Sequence, residues 1–564
     1  MKLEYKWVVL INTTVGMLMA SINQTIVLIS LPTIFSGLHV DPLGPGQSNL
    51  LLWMLMGYSA ATTVLLVTFG RIADIFGRVR IYNIGFVVFA IGSLLCAVTP
   101  SVGTTGALEL IGFRMLQGVG GACLFANSVA LLTDAFPASQ RGFSLGVNQI
   151  AFMAGNVVGV VLGGILAAVN WRLDFLISVP VALFGSVWAY RALHEIGKRQ
   201  AQPLDWMGNL TFAGGLLALM VGLTEALTPY GNQVMGWSNP IVVLLLGVGV
   251  VLLGAFALIE TRVRHPLFDL ALFRIRGFLF GTIAAFLFSL ARGGLQFMFV
   301  IWLQGIWLPL HGVAYADTPL NAGIDTMPLM VGFVVCAPVG GWLSDRYGSR
   351  TLATGGILVT GLAAALMMTL PANFNLGLFA SYLALMGAGM GFFSSPNTSQ
   401  IMSAVPEAHR GSASGMRAMV LNAGLTASQA IFFTIVIASL SHNLGPALES
   451  GASQAGLPTT LAGGIASLPP GAAVFAAMLG YDPISHLVSA SSLANLSPAI
   501  AARVTDPHFF ASLLAQPFVE GIRVALLVCI AMCVLAGLTS ALRGSDTRKR
   551  ATAPLVRRDV APMR

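Results

Sequence analysis

Charge is what this sequence has least of. Only 9% of its 564 residues are Asp, Glu, Lys or Arg, against 56% hydrophobic residues and a mean hydropathy of +0.83. A soluble domain carries about a quarter charged residues, so a water-covered surface cannot be made from this chain. Cysteine is scarce too. All five, Cys96, Cys123, Cys336, Cys529 and Cys533, fall inside apolar runs. That placement leaves no disulfide framework in an exported loop and no metal-ligand set. No Walker A sequence, Gly-rich phosphate loop or metal cluster occurs, so neither ATP-driven pumping nor a cofactor or metal is expected. A cleavable signal is also missing. Lys2 and Lys6 precede an apolar stretch to Leu31 with no small-residue cleavage site, which reads as a retained first helix.

What the chain has instead is long apolar runs. Fourteen can be marked out, from residues 8–31 to residues 521–542, with runs at 206–228 and 240–260 in the middle. Each is close to the roughly 20 residues that cross a bilayer as a helix. An even number of spans puts both termini on one side. Of the 29 Lys and Arg, 23 fall on the side of the N-terminus, while Arg172, Arg503 and Arg523 face the other and Arg114, Arg292 and Arg417 lie within spans. The bias predicts a multi-pass protein of the cell membrane with both termini cytoplasmic. The net charge of +8 is then a topology signal with some attraction for anionic lipid, and nucleic acid is not an expected partner. The glycine count, 63, suits helices that pack closely in lipid.

Two segments repeat. Gly70–Gly77 reads GRIADIFG and Gly341–Gly348 reads GWLSDRYG, with Gly, Asp and Gly recurring at an offset of 271. Pro137, Arg141, Gly142, Gly146 and Gly155 recur as Pro406, Arg410, Gly411, Gly415 and Gly424 at an offset of 269, as do Gly118 and Gly120 in Gly387 and Gly389. A near-constant offset across spans and loops indicates duplication of a six-helix unit around a midplane cavity. The expected organisation is an N-terminal bundle (1–200), an inserted helix pair (201–264), the first five helices of a C-terminal bundle (265–440), an outer insertion (441–520), the last helix (521–545) and a cytoplasmic tail (546–564). The insertion, broken by Pro469, Pro470, Pro483 and Pro507, reads either as short amphipathic helices capping the outer side or as decoration.

These residues resemble the major facilitator superfamily, and within it the 14-span drug:proton antiporter family. GRIADIFGRVR at Gly70–Arg80 is similar to the loop signature between the second and third helices. RMLQGVGGA at Arg114–Ala122 resembles the fourth-helix motif, and GNVVGVVLGG at Gly155–Gly164 the fifth-helix antiporter motif, with Val160 where Pro is usual. INQTIVLISLP at Ile22–Pro32 resembles the first-helix motif, with Asn23 where Asp is usual. PLDWMG at Pro203–Gly208 and HPLFDLALFR at His265–Arg274 look like the flanks of the extra helix pair. The resemblance implies an all-α fold of two six-helix bundles plus two extra spans.

It also assigns roles. Gly70, Arg71, Asp74, Gly77, Arg78 and Arg80, with Gly341, Asp345, Arg346 and Gly348 of the repeat, would form gating clusters that lock the bundles in the outward-facing state. Their bland reading is topology charge and a tight turn. Arg114 and Gln117 would serve proton-linked transport. Alternatively Arg114 snorkels outward with help from Glu109. Gly155, Gly159, Gly163 and Gly164 make a flat face on the fifth span, at the bundle interface in the family or in plain helix packing. Asn23 cannot release a proton, so Asp325 becomes the first choice of carrier, with Arg292 as its expected partner in either a functional or a structural bridge. Glu225 reads as an interfacial carboxylate. Trp53, Met54, Tyr58, Asn148, Phe152, Phe297, Trp302, Gln304, Met327 and Asn422 are candidates to line the cavity.

The leading expectation is a monomeric secondary transporter, not an enzyme, that exports lipophilic or cationic small molecules by alternating access in exchange for protons. One alternative keeps the fold and exports a lipid or glycolipid. Another, from a different class, is a sensor or scaffold that transports nothing, which the missing acid at Asn23 leaves open.

Overall fold

A computed structural model describes residues 4–40, 47–137, 140–196, 205–226, 230–231, 235–263, 270–315, 317–406, 410–458, 462–463, 466, 468, 470–479, 497–498, 500 and 506–543. Side chains at 47–48, 141–142, 345, 410–412, 475, 478–479 and 507 are outside that description. So are several residues named above: Lys2, Pro203, the HPLFD half of the His265–Arg274 flank, Pro469, Pro483, Arg503, the middle of the outer insertion and the tail from 544. Among the described residues, 14 helices are long and apolar enough to cross a membrane.

The first half contains α1 (Tyr5–Leu38), α2 (Gln47–Phe76), α3 (Arg78–Ala97), α4 (Gly103–Ala135), α5 (Arg141–Val169) and α6, which runs as Leu173–Leu176 and Ser178–Ala192. An added pair follows, α7 (Trp206–Glu225) and α8 (Pro240–Glu260). The second half contains α9 (Arg276–Trp302, prolonged by a π turn at Leu303–Trp307 and by Leu308–Leu310), α10 (Thr318–Tyr347), α11 (Ser349–Met367), α12 (Leu376–Ala404) and α13 (Arg410–Gln454). A short helix α14 (Pro470–Leu479) precedes the last span, α15 (Pro507–Ala541).

The duplication read from the sequence is repeated in the packing. α1 lies on α5 as α9 lies on α13, α2 on α4 as α10 on α12, and α3 on α4 as α11 on α12. Individual contacts repeat as well. Gly118 approaches the Tyr58 carbonyl and Gly387 the Leu329 carbonyl, while Gly120 meets Gly85 and Phe89 as Gly389 meets Gly356 and Thr360. At each of these four positions a Cβ would strike a neighbouring helix backbone. Gly77 and Gly348 make equivalent corners, with φ of 112° and 93°, a region that L side chains avoid and glycine does not. Each lets the chain leave one span and enter the next without a loop.

Successive helices run in opposite directions. One end of the bundle therefore collects Arg78, Arg80, Arg191, Arg274, Arg276, Arg346 and Arg350; it is called the basic end below. At the far end two helices are longer than the sequence suggested. α13 has 45 residues and α15 has 35, about 67 and 52 Å against a hydrocarbon core of roughly 30 Å. Residues 441–454 thus continue α13 and 507–520 begin α15, in stretches assigned above to the outer insertion. α14 sits at that end against α1, α2, α13, α15 and the π turn, touching both halves.

The added pair is peripheral. α7 packs on α2 and α13, and α8 packs on α7. Thr68 Oγ1 donates to Asn209 Oδ1 at 2.7 Å and Asn49 Nδ2 to Glu225 Oε1 at 3.2 Å, so polar contacts fix α7 to α2 near both ends. Asp205 in the PLDWMG flank caps α7 by accepting from the Gly208 amide at 2.8 Å, which satisfies an orphan donor of the first turn.

α5 meets α1 through Gly155, Gly159 and Gly163, whose Cβ positions would run into Ser21, Thr25 and the Ile26 carbonyl. Overpacking such a seam costs about 1–3 kcal/mol. Gly159→Leu is therefore expected to lower the unfolding midpoint in detergent, whereas Gly247→Leu on α8, with nothing within 4 Å of its Cβ position, leaves it unchanged. Equal midpoints for the two variants would refute the seam.

Candidate functional site

Between the halves lies a cavity of about 2180 Å³. Its rim is built from residues of the basic end, among them Arg78, Asp134, Arg276, Arg346 and Tyr347, and its wall reaches Met153, Arg292, Phe333 and Leu425 deep in the spans. Beyond that depth the halves close on each other. Val160 is 4% exposed and backs onto Gly323, Gly164 onto Leu320, and only a void of about 10 Å³ remains beside Val157 and Met327. Thr63 and Thr426 are 3.3 Å apart across the halves, and Gln304 Nε2 in the π turn donates to the Ile29 carbonyl at 3.0 Å. The cavity is thus open at the basic end and shut at the other.

A buried polar network stands behind the cavity in the first half. Arg114 is 1% exposed. Its Nη1 donates to the Asn23 carbonyl at 2.9 Å and to Gln117 Oε1 at 3.0 Å. Gln117 Nε2 donates to Asn23 Oδ1 at 2.9 Å and Ser93 Oγ at 2.8 Å, and Asn23 Nδ2 donates to Met19 O at 3.0 Å and Ser178 Oγ at 2.7 Å. The guanidinium carbon is 5.0 Å from the Tyr58 ring centroid and 5.9 Å from that of Phe175, within cation–π range. Arg114 therefore turns inward to amide and aromatic groups. It does not snorkel toward Glu109, whose Oε1 accepts from Ser101 at 2.8 Å. Asn23, Arg114 and Gln117 are brought together, but none lines the cavity.

The Gly-Asp-Gly cluster of the first half is an ion-pair triad. Arg78 Nε and Nη2 donate to Asp74 Oδ1 at 2.9 and 2.8 Å, and its Nη1 to both oxygens of Asp134 at 2.8 and 2.7 Å. Glu195 accepts the backbone amides of Arg78, Val79 and Arg80 at 3.0–3.2 Å, placing a carboxylate on the positive end of α3. Arg71 lies on the last two turns of α2, and Gly70 packs near Ala126. In the second half, Gly341 packs on Ser395, Arg346 lies 5.8 Å from the Tyr347 ring, and the side chain of Asp345 is outside the description. The carboxylates that hold Arg78 all belong to its own half, in a conformation whose cavity is open at this end.

Several expectations need correction. Arg292 does not pair with Asp325. Arg292 lines the cavity level with Phe333, 5.9 Å from that ring, with Nη1 3.7 Å from Met153 Sδ. Asp325 stands eight residues, about 12 Å, further along α10, half-buried and away from the cavity. Of the ten proposed lining residues, Asn148, Phe152 and Asn422 do line it. Met54, Tyr58, Phe297, Trp302 and Gln304 are at most 2% exposed inside helix packing, Trp53 packs toward α7, and Met327 borders the small void. Of the four fifth-span glycines only Gly164 faces the other half. Asp134, Glu195 and the cavity arginine Arg417 were not singled out. Arg417 carried a legible signal, since an arginine inside a span is rarely idle.

A profile of the Major Facilitator Superfamily matches residues 13–429 and 330–559. The chain belongs to this superfamily. It is 28% identical over 78% of its length to the riboflavin transporter RibZ of Clostridioides difficile (90% of that protein). It is 27% identical over 94% of its length to the multidrug resistance protein Stp of Mycobacterium tuberculosis (90% of that protein). A crystal structure of a bacterial homologue of the human lysosomal transporter Spinster aligns with a TM-score of 0.55 at 15% identity, covering 97% of this chain and 100% of that one. The protein is an all-α, 14-span member of the superfamily, and its repeated halves and central cavity are the superfamily's fold.

Removing Arg114 would leave Gln117 Oε1 without its donor in a closed interior. Arg114→Met is expected to cost about 1–2 kcal/mol, read as a drop in thermal midpoint in detergent. Glu195→Ala, at the surface, is expected to speed hydrogen exchange at amides 78–80 with little change in midpoint. An unchanged midpoint for Arg114→Met would mean the network carries no stability.

Proposed function

We propose that this protein is a secondary active transporter that exports lipophilic small molecules across the cell membrane by alternating access. The single observation that carries this reading is the cavity of about 2180 Å³ between two repeated halves, open at one end and sealed at the other. Pockets for drug-sized ligands occupy about 300–1,000 Å³, so this one admits a large cargo or several poses. The names of relatives, a riboflavin transporter and multidrug resistance proteins, favour small organic molecules. The basic end faces the cytoplasm in this reading because cytoplasmic loops gather Lys and Arg, which makes the described conformation inward-facing. The protein works as a monomer and is not an enzyme.

Alternating access would then close the basic end by bringing the corners at Gly77 and Gly348 together, and open the far end by parting Val160 from Gly323 and Gln304 from Ile29. The coupling ion is the proton. Asn23 has no titratable group, and Asp325, on α10 at the level of the seal, is taken as the carrier ahead of the buried Asp174 of α6.

Inverted membrane vesicles loaded with an imposed pH gradient test this. A lipophilic dye should accumulate, lose its accumulation on adding an uncoupler, and fail to accumulate with Asp325→Asn while still binding purified protein. Dye accumulation that survives both the uncoupler and Asp325→Asn would remove the proton assignment. No accumulation by the wild type for any of a panel of dyes would remove the exporter reading.

A further inference from the structure

The two walls of the cavity differ in kind. The wall from the first half is apolar where it is deep, over Met17, Leu66, Phe125, Phe152 and Met153. The wall from the second half carries two guanidinium groups within the spans, Arg292 and Arg417. Ser289 Oγ donates to the Leu421 carbonyl at 2.5 Å, which fixes the register of α9 against α13. Arg292 therefore stands about seven residues, roughly 10 Å, deeper than Arg417.

Neither arginine is neutralised. Arg417 Nη2 donates to Thr398 Oγ1 at 2.5 Å and its Nε has no acceptor, while Arg292 reaches only the Met153 thioether and the Phe333 ring. Among the described residues no ion pair involves either one. The described acid on the cavity wall, Asp134, is at the mouth and bound to Arg78. Arg276 and Arg346 add positive charge at the rim, as does Arg543, whose Nη1 donates to Gln400 Oε1 at 3.1 Å. Positive charge is thus laid along one wall from the mouth to the deepest point.

Arg292 and Arg417 face the open cavity with no described counter-charge of their own, and a guanidinium within a span favours one. We infer that the cargo brings it: the cavity takes amphipathic organic anions, with a carboxylate, sulfonate or phosphate held by Arg417 and Arg292 and an apolar body against the opposite wall. The planar fork of arginine matches such groups in two parallel hydrogen bonds. Cationic cargo, which the sequence resemblance allowed, would meet like charge at every level of the wall. The inference rests on the transporter reading of the same cavity but is tested first by binding.

Two dyes sharing a xanthene ring system separate the cases: fluorescein carboxylate is an anion and rhodamine ethyl ester a cation. Fluorescence anisotropy with the purified full-length protein in nonionic detergent should show the anion bound at least about tenfold more tightly than the cation. Its affinity should fall about tenfold in Arg292→Gln and in Arg417→Gln, the value of one charge-assisted hydrogen bond, and recover in Arg417→Lys. Displacement by lysophosphatidylglycerol rather than decanoate would identify a lipid anion, and the reverse a free organic acid; either supports the anion site. Equal binding of the dyes, no binding of the anion, or unchanged affinity in the double glutamine variant overturns it. Anion binding without movement into inverted vesicles would keep the site and remove the transporter reading. Gradient-driven movement of the cation but not the anion would do the opposite.

Discussion

In hydrocarbon, a polar group that protein does not satisfy is not satisfied at all. This constraint orders the whole molecule. It forces the backbone into helices, whose closest approaches run along small residues, as in the glycine seams of α5 on α1 and of α4 on α2 and α3. It also turns Arg114 inward onto Asn23 and Gln117. Arg292 and Arg417 stand outside that rule because they face the open cavity, where water and cargo rather than protein meet their charge.

The duplicated unit turns local packing into a working geometry. Each half is held by its own glycine contacts, so each is a stiff body. Between them the described contacts are of another kind: Val160 on Gly323, Gly164 on Leu320, two threonine hydroxyls, one glutamine amide and Arg292 on the Met153 sulfur. That boundary is thin and contains no described ion pair, so two stiff bodies are joined by a face that can part. At the basic end the corner at Gly77 is tied by Arg78 to Asp74 and Asp134 and by Glu195 to the start of α3. Those bonds keep the corner rigid while the cavity beside it is open.

The fold was legible because its signals are one-dimensional: apolar run length, the placement of Lys and Arg, and the 269–271 residue repeat. The site was legible only in part. Asn23, Arg114 and Gln117 were singled out by motif, yet that they form one network depends on the register of α1 against α4. Arg292 and Asp325 are both unusual residues for a span, but a sequence cannot show that they stand about 12 Å apart in depth. Asp134 and Glu195 were missed because an acid at a helix end looks ordinary until its neighbour is known. Cavity residues were hardest, since Met and Phe that face lipid, a neighbouring helix or open space have the same letters. The long reach of α13 and α15 was hidden by the mildly polar composition of their outer turns.

α13 is continuous from Arg417 on the cavity wall to Gln454 at the far end, where it touches α14. As far as Gly445, just before Pro446, it is a rod of about 42 Å. A tilt of about 5° at the cavity becomes a displacement of about 4 Å at the end of such a rod. A small motion around the cavity is therefore amplified along α13 toward the end where α14 bridges both halves.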